Sequence, residues 1–209
     1  MSTTFYLVRH GIKKRDFGDV SLTTEGRQQA EWTAQYFASA PYKIHRIVAS
    51  PLRRAKETAQ AIGALTGSDV SEDIRLRERV NWGDDPEQTF EQFVALWDRC
   101  TADPEFVPHV GDSAKQAGKR LASLLTELAE HEPVGSHMVL ATHGGLITDF
   151  LVQTFSEQEL NRWHPDFLAV QNRLVPECSI TKLIAESGQL RLESFASTTH
   201  LNLSGNAEN

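Results

Sequence analysis

The chain has 209 residues, 40% of them hydrophobic, and a formal net charge of −7 at pH 7. That length buries a sizeable core without disulfides, and the acidic balance excludes a broad nucleic-acid surface, which needs clustered cations against phosphates. Two cysteines, Cys100 and Cys178, have neither metal-ligand spacing nor the pattern of a disulfide framework, which fits a reducing compartment.

Phe5-Tyr6-Leu7-Val8-Arg9-His10-Gly11 is an apolar run closed by glycine, the pattern of a buried strand that ends in a sharp turn. It starts directly after Met1-Ser2-Thr3-Thr4, with no space for a charged leader and an apolar signal region, so a cytoplasmic protein is expected. No later stretch approaches the roughly 20 apolar residues of a membrane span. A loop over 11–22 follows. Thr23 or Thr24 then offers an N-cap, Glu25 suits the first-turn dipole, and Ala30, Ala34 and Phe37 recur at helical spacing before Pro41.

Residues 46–49 predict a second strand. Ser50-Pro51 then reads as a helix start, a capping hydroxyl followed by proline in the first position, with Leu52, Ala55, Ala59, Ile62 and Leu65 on the buried face. A weak third strand is expected within 70–76, then an irregular segment over 77–85. Asp85-Pro86 predicts another helix start, and Trp82, Phe90, Phe93 and Trp97 read most simply as core aromatics.

Beyond Pro104 and Pro108, Gly111-Asp112-Ser113 precedes a long amphipathic helix traced by Ala114, Ala117, Leu121, Leu124 and Leu128. Residues 138–142 repeat the opening pattern, an apolar run closed by His143-Gly144-Gly145, with a helix over 145–155. Segments 180–185 and 190–195 flank Glu186-Ser187-Gly188-Gln189, a hairpin with glycine in its turn. The polar stretch 204–209 is expected to fray.

Alternating strands and helices predict a mostly parallel sheet covered on both faces. Both His10 and His143 then stand at strand C-terminal ends, the edge where open α/β sheets bind ligands. Arg9 adjoins His10, and Arg53 and Arg54 lie in the first turns of a helix that follows a strand. Guanidinium forks at a helix N-terminus match the oxygens of an anion, phosphate above all. Read singly, each histidine is as easily a core residue; together with the arginines they point to a site.

These segments, in this order, resemble the histidine phosphatase superfamily, the group that includes cofactor-dependent phosphoglycerate mutases. The resemblance rests on Leu7-Val8-Arg9-His10-Gly11, Leu22-Thr23-Thr24-Glu25-Gly26 and Ser50-Pro51-Leu52-Arg53-Arg54-Ala55-Lys56-Glu57-Thr58-Ala59. It continues with Leu76-Arg77-Glu78, Gly111-Asp112-Ser113 and Thr142-His143-Gly144-Gly145. It implies a single α/β domain over 1–209, a three-layer α/β/α sandwich with a mostly parallel central sheet and a small cap over 79–110.

It also implies that His10 is the nucleophile, forming a phosphohistidine that water hydrolyses. Arg9, Arg54 and His143 are the implied phosphate clamps, Glu78 the general acid, and Gly11, Asp16, Thr23 and Gly144 the further substrate contacts. Covalent catalysis needs His10 neutral, and adjacent arginines favour that form. Phosphoryl transfer rests on positioning and charge, so no metal or other cofactor is implied.

The loop Ile12-Lys13-Lys14-Arg15-Asp16 departs from the superfamily's commonest pattern, which places an asparagine against the phosphate. An ionised Asp16 cannot donate as an amide does. The expected activity is metal-independent hydrolysis of small phosphorylated metabolites, with no nucleic-acid or membrane partner. The alternatives are a phosphoglycerate mutase, and a catalytically weak phosphate-binding regulatory domain. Mutases of this superfamily are usually longer, which favours hydrolysis. No oligomeric contact is read from the sequence.

Overall fold

A computed structural model describes residues 2–201; the polar stretch 204–209 lies outside them. The first strand, β1 (Thr3–Arg9), is buried along nearly its whole length, as a strand must be when helices cover both faces. It pairs in parallel with β4 (His137–Thr142) and antiparallel with β5 (Ile180–Glu186). Beyond β4 lie β2 (Ile44–Ala49) and β3 (Val70–Glu72), and beyond β5 lies β6 (Gln189–Ser197), giving the order β3-β2-β4-β1-β5-β6. Four strands are thus parallel, and the terminal hairpin adds an antiparallel edge.

The period of two along β1 divides the core. Phe5 and Leu7 pack with Leu121 and Leu125 of α4 (Ala114–His131) and Phe150 of α5 (Gly144–Thr154). Tyr6 and Val8 pack on the other face with Ala34 and Phe37 of α1 (Thr24–Ala38) and Ile62 of α2 (Arg53–Thr66). Helices on both faces of one mixed sheet make the expected three layers.

Several boundaries differ from expectation. Thr23 caps α1, and Ser113 opens α4 with a reciprocal capping box to Gln116. Ser50-Pro51, however, does not start a helix. Ser50 N–H still continues the strand ladder to the Ala141 carbonyl at 2.9 Å, so α2 begins only at Arg53, after Leu52. Asp85-Pro86 is likewise no start: α3 (Phe90–Ala102) opens at Thr89, where a capping box with Gln92 satisfies two orphan N–H groups. The weak strand ends at Glu72, and Asp73 caps a single 3-10 turn over Ile74–Leu76. Two short helices, α6 (Glu157–Leu160) and α7 (Phe167–Val170), have no counterpart in the sequence reading.

Candidate active site

The parallel register sets Arg9 opposite Thr142, so the next residue on each strand leaves the sheet beside the other. These residues are His10 and His143. Both are buried, with ring centroids 5.1 Å apart at 65°. Gly11 turns the chain, its N–H held by Thr58 Oγ1 of α2 at 3.2 Å. A Cβ at Gly11 would lie 2.4 Å from the Gly26 carbonyl, and one at Gly26 would lie 2.1 Å from the Ile12 carbonyl. The two glycines therefore let α1 seat against the loop that aims His10.

The His10 ring has one tautomer that satisfies its neighbours. Nδ1 lies 2.7 Å from the Gly11 carbonyl, which only accepts, and Nε2 lies 3.0 Å from Arg54 Nε, which only donates. The proton therefore sits on Nδ1, and the Nε2 lone pair faces the guanidinium. Burial holds the His10 pKa well below the ordinary value, and the charges of Arg54 and Arg9 press in the same direction. Burial, Arg54 and His10 do the same to His143.

Around this ring lie buried nitrogens without partners. Arg54 is buried, and burial pushes its pKa down to about 10 against the pull of Glu78 and Asp19. Its Nη1, Arg9 Nε and His143 Nδ1 have no hydrogen-bond partner among the described residues. Buried polar atoms are rarely left so, and an anion with several oxygens would satisfy such a set. His143 Nε2 meets Ser50 Oγ at 2.7 Å, and Ser50 Oγ accepts the Leu52 N–H at 3.3 Å. Arg9 is held from outside by the Val175 carbonyl and Glu177 Oε1, both at 2.5 Å. Gly144 opens α5, so its N–H has no intrahelical acceptor.

Glu78 is 7% exposed, and both its oxygens accept backbone N–H groups: Oε1 from Arg79 and Oε2 from Gly145, each at 3.1 Å. Its segment is pinned at both ends. Thr142 Oγ1 donates to the Leu76 carbonyl at 2.7 Å, and Asp112 N–H donates to the Arg79 carbonyl at 2.8 Å, which gives Gly111-Asp112-Ser113 its structural task. The flanking arginines turn away. Arg77 pairs with Asp84 at 2.6 Å, and Arg79 forms a buried pair with Asp149 at 2.5 Å while its guanidinium lies 4.0 Å over Trp97. Burial pushes the Asp149 pKa up to about 7 against the pull of Arg79.

These groups open into one cleft of about 1000 Å³. Arg9, His10, Lys13 and Arg54 form its floor, and Trp82, Phe90, Phe93 and Trp97 its wall. The wall corrects the reading of these aromatics as core. Neighbouring rings stand 5.0 Å apart at Trp82–Phe90 and 6.2 Å apart at Phe93–Trp97, and Phe90 is 51% exposed.

Of the residues implied by the resemblance, His10, His143, Arg9, Arg54, Glu78 and Gly144 come together here. Gly11 and Thr23 lie behind the cleft lining: Gly11 accepts from the His10 ring, and Thr23 caps α1 and donates to the Ile12 carbonyl. Asp16 is exposed, accepts the Phe17 N–H at 2.8 Å and does not line the cleft. Arg53 faces outward, its N–H on Asp19. Four partners lay outside the sequence reading of the site: Ser50, Thr58, Asp149 and Glu177. Only Ser50 and Thr58 carried a signal, as hydroxyls inside the arginine-bearing motif.

No described helix is long and apolar enough to cross a membrane, and no three His, Cys, Asp or Glu side chains among the described residues gather as metal ligands. The profile of the histidine phosphatase superfamily (branch 1) matches residues 5–198. Glucosyl-3-phosphoglycerate phosphatase of Mycolicibacterium vanbaalenii is 34% identical over 158 residues, covering 68% of this chain and 69% of its own. Among solved structures, mycobacterial glucosyl-3-phosphoglycerate phosphatase superposes with a TM-score of 0.72 at 27% identity, covering 95% of this chain and all of the other. Phosphoserine phosphatase of Entamoeba histolytica, in complex with 3-phosphoglyceric acid, gives 0.70 at 26% identity, covering 95% and 99%. The motifs, the sheet order and these likenesses agree, and the chain belongs to the histidine phosphatase superfamily as a phosphatase of that group.

Proposed function

We propose that this protein hydrolyses phosphomonoesters of small metabolites through a phosphohistidine on His10, without a metal. The observation that carries this reading is the neutral His10 Nε2 lone pair among three buried nitrogens that lack partners, Arg9 Nε, Arg54 Nη1 and His143 Nδ1. An arriving phosphate takes the Arg54 N–H from Nε2 and frees the lone pair. Nε2 then attacks phosphorus in line as the ester P–O bond breaks. The ring becomes cationic, and the Gly11 carbonyl on Nδ1–H stabilises it.

The leaving alkoxide takes a proton from Glu78. Each carboxyl oxygen accepts one N–H and keeps a second lone pair, so it can carry that proton without breaking either bond. In the second half Glu78 removes a proton from water, which attacks phosphorus as the P–N bond breaks and neutral His10 returns. The exposed Phe90 side of the cleft admits this water and favours hydrolysis over transfer back to a bound sugar acid. The outward Asp16 puts no repulsive carboxylate on the phosphate, which favours an enzyme over a mere binding domain. Two free, buried cysteines support a cytoplasmic setting.

The test is phosphate release from an activated aryl phosphate in the presence of chelator. The native protein is expected to turn over, and His10→Ala to lose activity and any acid-labile phosphoenzyme. Glu78→Gln should keep the burst on an aryl leaving group, which needs no proton, and lose turnover of alkyl esters. Turnover by His10→Ala, or a requirement for metal, overturns the proposal.

A further inference from the structure

Arg79 follows Glu78 in the chain but turns away from the substrate. Lys13 and Arg15 of the loop after Gly11 line the cleft and Lys14 does not; neither Arg79 nor Asp149 lines it. The Arg79 side chain is instead 2% exposed, and it joins its own segment to two helices. Nη1 donates to Asp149 Oδ1 of α5 at 2.5 Å. Nη2 donates to Thr101 Oγ1 at 2.5 Å and to the Trp97 carbonyl at 3.3 Å, both in α3.

The same three pieces meet at Glu78. Its Oε1 accepts from the Arg79 N–H, and its Oε2 accepts from the N–H of Gly145, one helical turn before Asp149 on α5. The pair therefore ties the residue that holds one oxygen to the helix that holds the other. Trp97 closes the arrangement, since a Cβ at Gly145 would lie 2.4 Å from its ring and 2.8 Å from Glu78 Oε1. Two such bonds orient the carboxyl whether or not it carries a proton, because each oxygen keeps a second lone pair.

Taking two charges out of water is costly, and apolar side chains of similar volume often serve stability as well. Arg79 Nε and Asp149 Oδ2 also lack partners among the described residues, so the pair is not fully compensated by hydrogen bonds. What it supplies beyond apolar packing is direction, a planar fork that fixes α3 and α5 relative to the Glu78 segment.

We propose that Arg79 and Asp149 are positioning residues for Glu78, aiming its carboxyl at the leaving oxygen without touching the substrate. This rests on the hydrolase reading above and extends it to two residues outside the cleft.

The experiment compares the native chain with Arg79→Met/Asp149→Leu, which leaves no buried charge unpaired, on an alkyl and an activated aryl phosphate. On the alkyl ester kcat should fall by about tenfold or more with KM changed by less than about threefold. The phosphoenzyme burst on the aryl ester, which needs no proton, should stay within about threefold, and vanadate should bind both proteins equally. A merely structural role would lower both rates together. Should the pair variant not fold, Asp149→Asn, which keeps the shape and one acceptor, is read in the same way with a loss of several-fold.

An unchanged alkyl kcat, or an equal loss on the aryl burst, overturns the assignment. Should the native chain hydrolyse neither ester, the hydrolase reading falls and the positioning is read from amide exchange. The Gly145 N–H should then exchange faster in the pair variant by about tenfold or more, as in Glu78→Ala. A Gly145 N–H that stays protected in the pair variant overturns the positioning as well.

Discussion

On the cleft floor His10 and Arg54, with His143 directly behind them, are buried and stand on strand ends or a helix start, while on the wall Phe90 is half exposed and α3 buries only Cys100 of its thirteen residues. The neighbouring α5 buries six consecutive residues, from Leu146 to Leu151. The wall is attached chiefly by polar contacts: Arg79 donates to the Trp97 carbonyl and to Thr101 Oγ1, and stacks on Trp97. On the proposed mechanism, the groups that must hold their geometry sit on rigid, buried elements, and the aromatic groups that would meet the organic part of a substrate sit where little packing restrains them. The floor is where small changes should cost most.

Four tests press on that contrast. The largest effect is expected for Arg54→Met, which removes the Nε bond to His10 and the unpartnered Nη1 that the proposed mechanism gives to phosphate. We expect kcat/KM to fall by about 10³ or more, the scale of losing preorganised charge at a phosphoryl centre. A loss under tenfold would mean the floor does not depend on Arg54.

Gly145→Ala strikes the junction between floor and wall. The new Cβ would lie 2.4 Å from Trp97 Cη2 and 2.8 Å from Glu78 Oε1. Activity should drop by roughly 10², and stability by about 1–3 kcal/mol from overpacking. Adding Trp97→Phe should recover stability if the ring is the obstacle, and only partial activity, since Glu78 stays displaced. Full recovery of both would show that the wall alone was disturbed.

Acidity separates the two regions further. His10 and His143 have folded pKa values below the ordinary 6.5, so under that pH the unfolded chain takes up protons that the native floor refuses. Their contribution to stability is therefore present near neutrality and falls as pH drops below about 6.5, by about 1.4 kcal/mol per pH unit for each ring. Asp149, raised to about 7, has the opposite slope over the acid range, because the native state there holds the extra proton. Comparing urea unfolding of the native chain with His10→Gln at pH 7.5 and 5.5 cancels Asp149 and isolates one histidine. Equal slopes in the two proteins would mean that the ring is hydrated rather than buried.

The smallest effect belongs to the wall. Phe90→Ser removes a half-exposed ring and should change KM by only a few-fold, with stability altered by less than about 1 kcal/mol. A large kcat effect would show that the wall shapes the chemistry as well as the binding.

How far the sequence carried follows from how local each signal was. His10 and His143 were legible because an apolar run closed by glycine is a contiguous pattern. Arg54 stood out through its place at a helix start, although the start itself was misjudged: a hydroxyl before proline reads as a cap, and Ser50 serves the strand ladder and His143 instead. The aromatic wall was misread because helical spacing of Phe90, Phe93 and Trp97 looks the same whether the face meets a core or a cleft. Glu177 lies 168 residues from the Arg9 it holds, and Asp149 lies 70 from Arg79, so neither pairing leaves a trace in local spacing.

Periodicity, turn residues and motif order determined the alternating fold and the floor residues, because each is written in a few adjacent positions and strand pairing then has little choice. Tertiary structure alone decided which His10 nitrogen is free, which arginines are committed to carboxylates, and which side of the Lys13–Arg15 loop meets the cleft. Those depend on distances between segments that meet only when β1 and β4 align, and a hydrogen bond or a desolvated charge has its effect only once that distance is set.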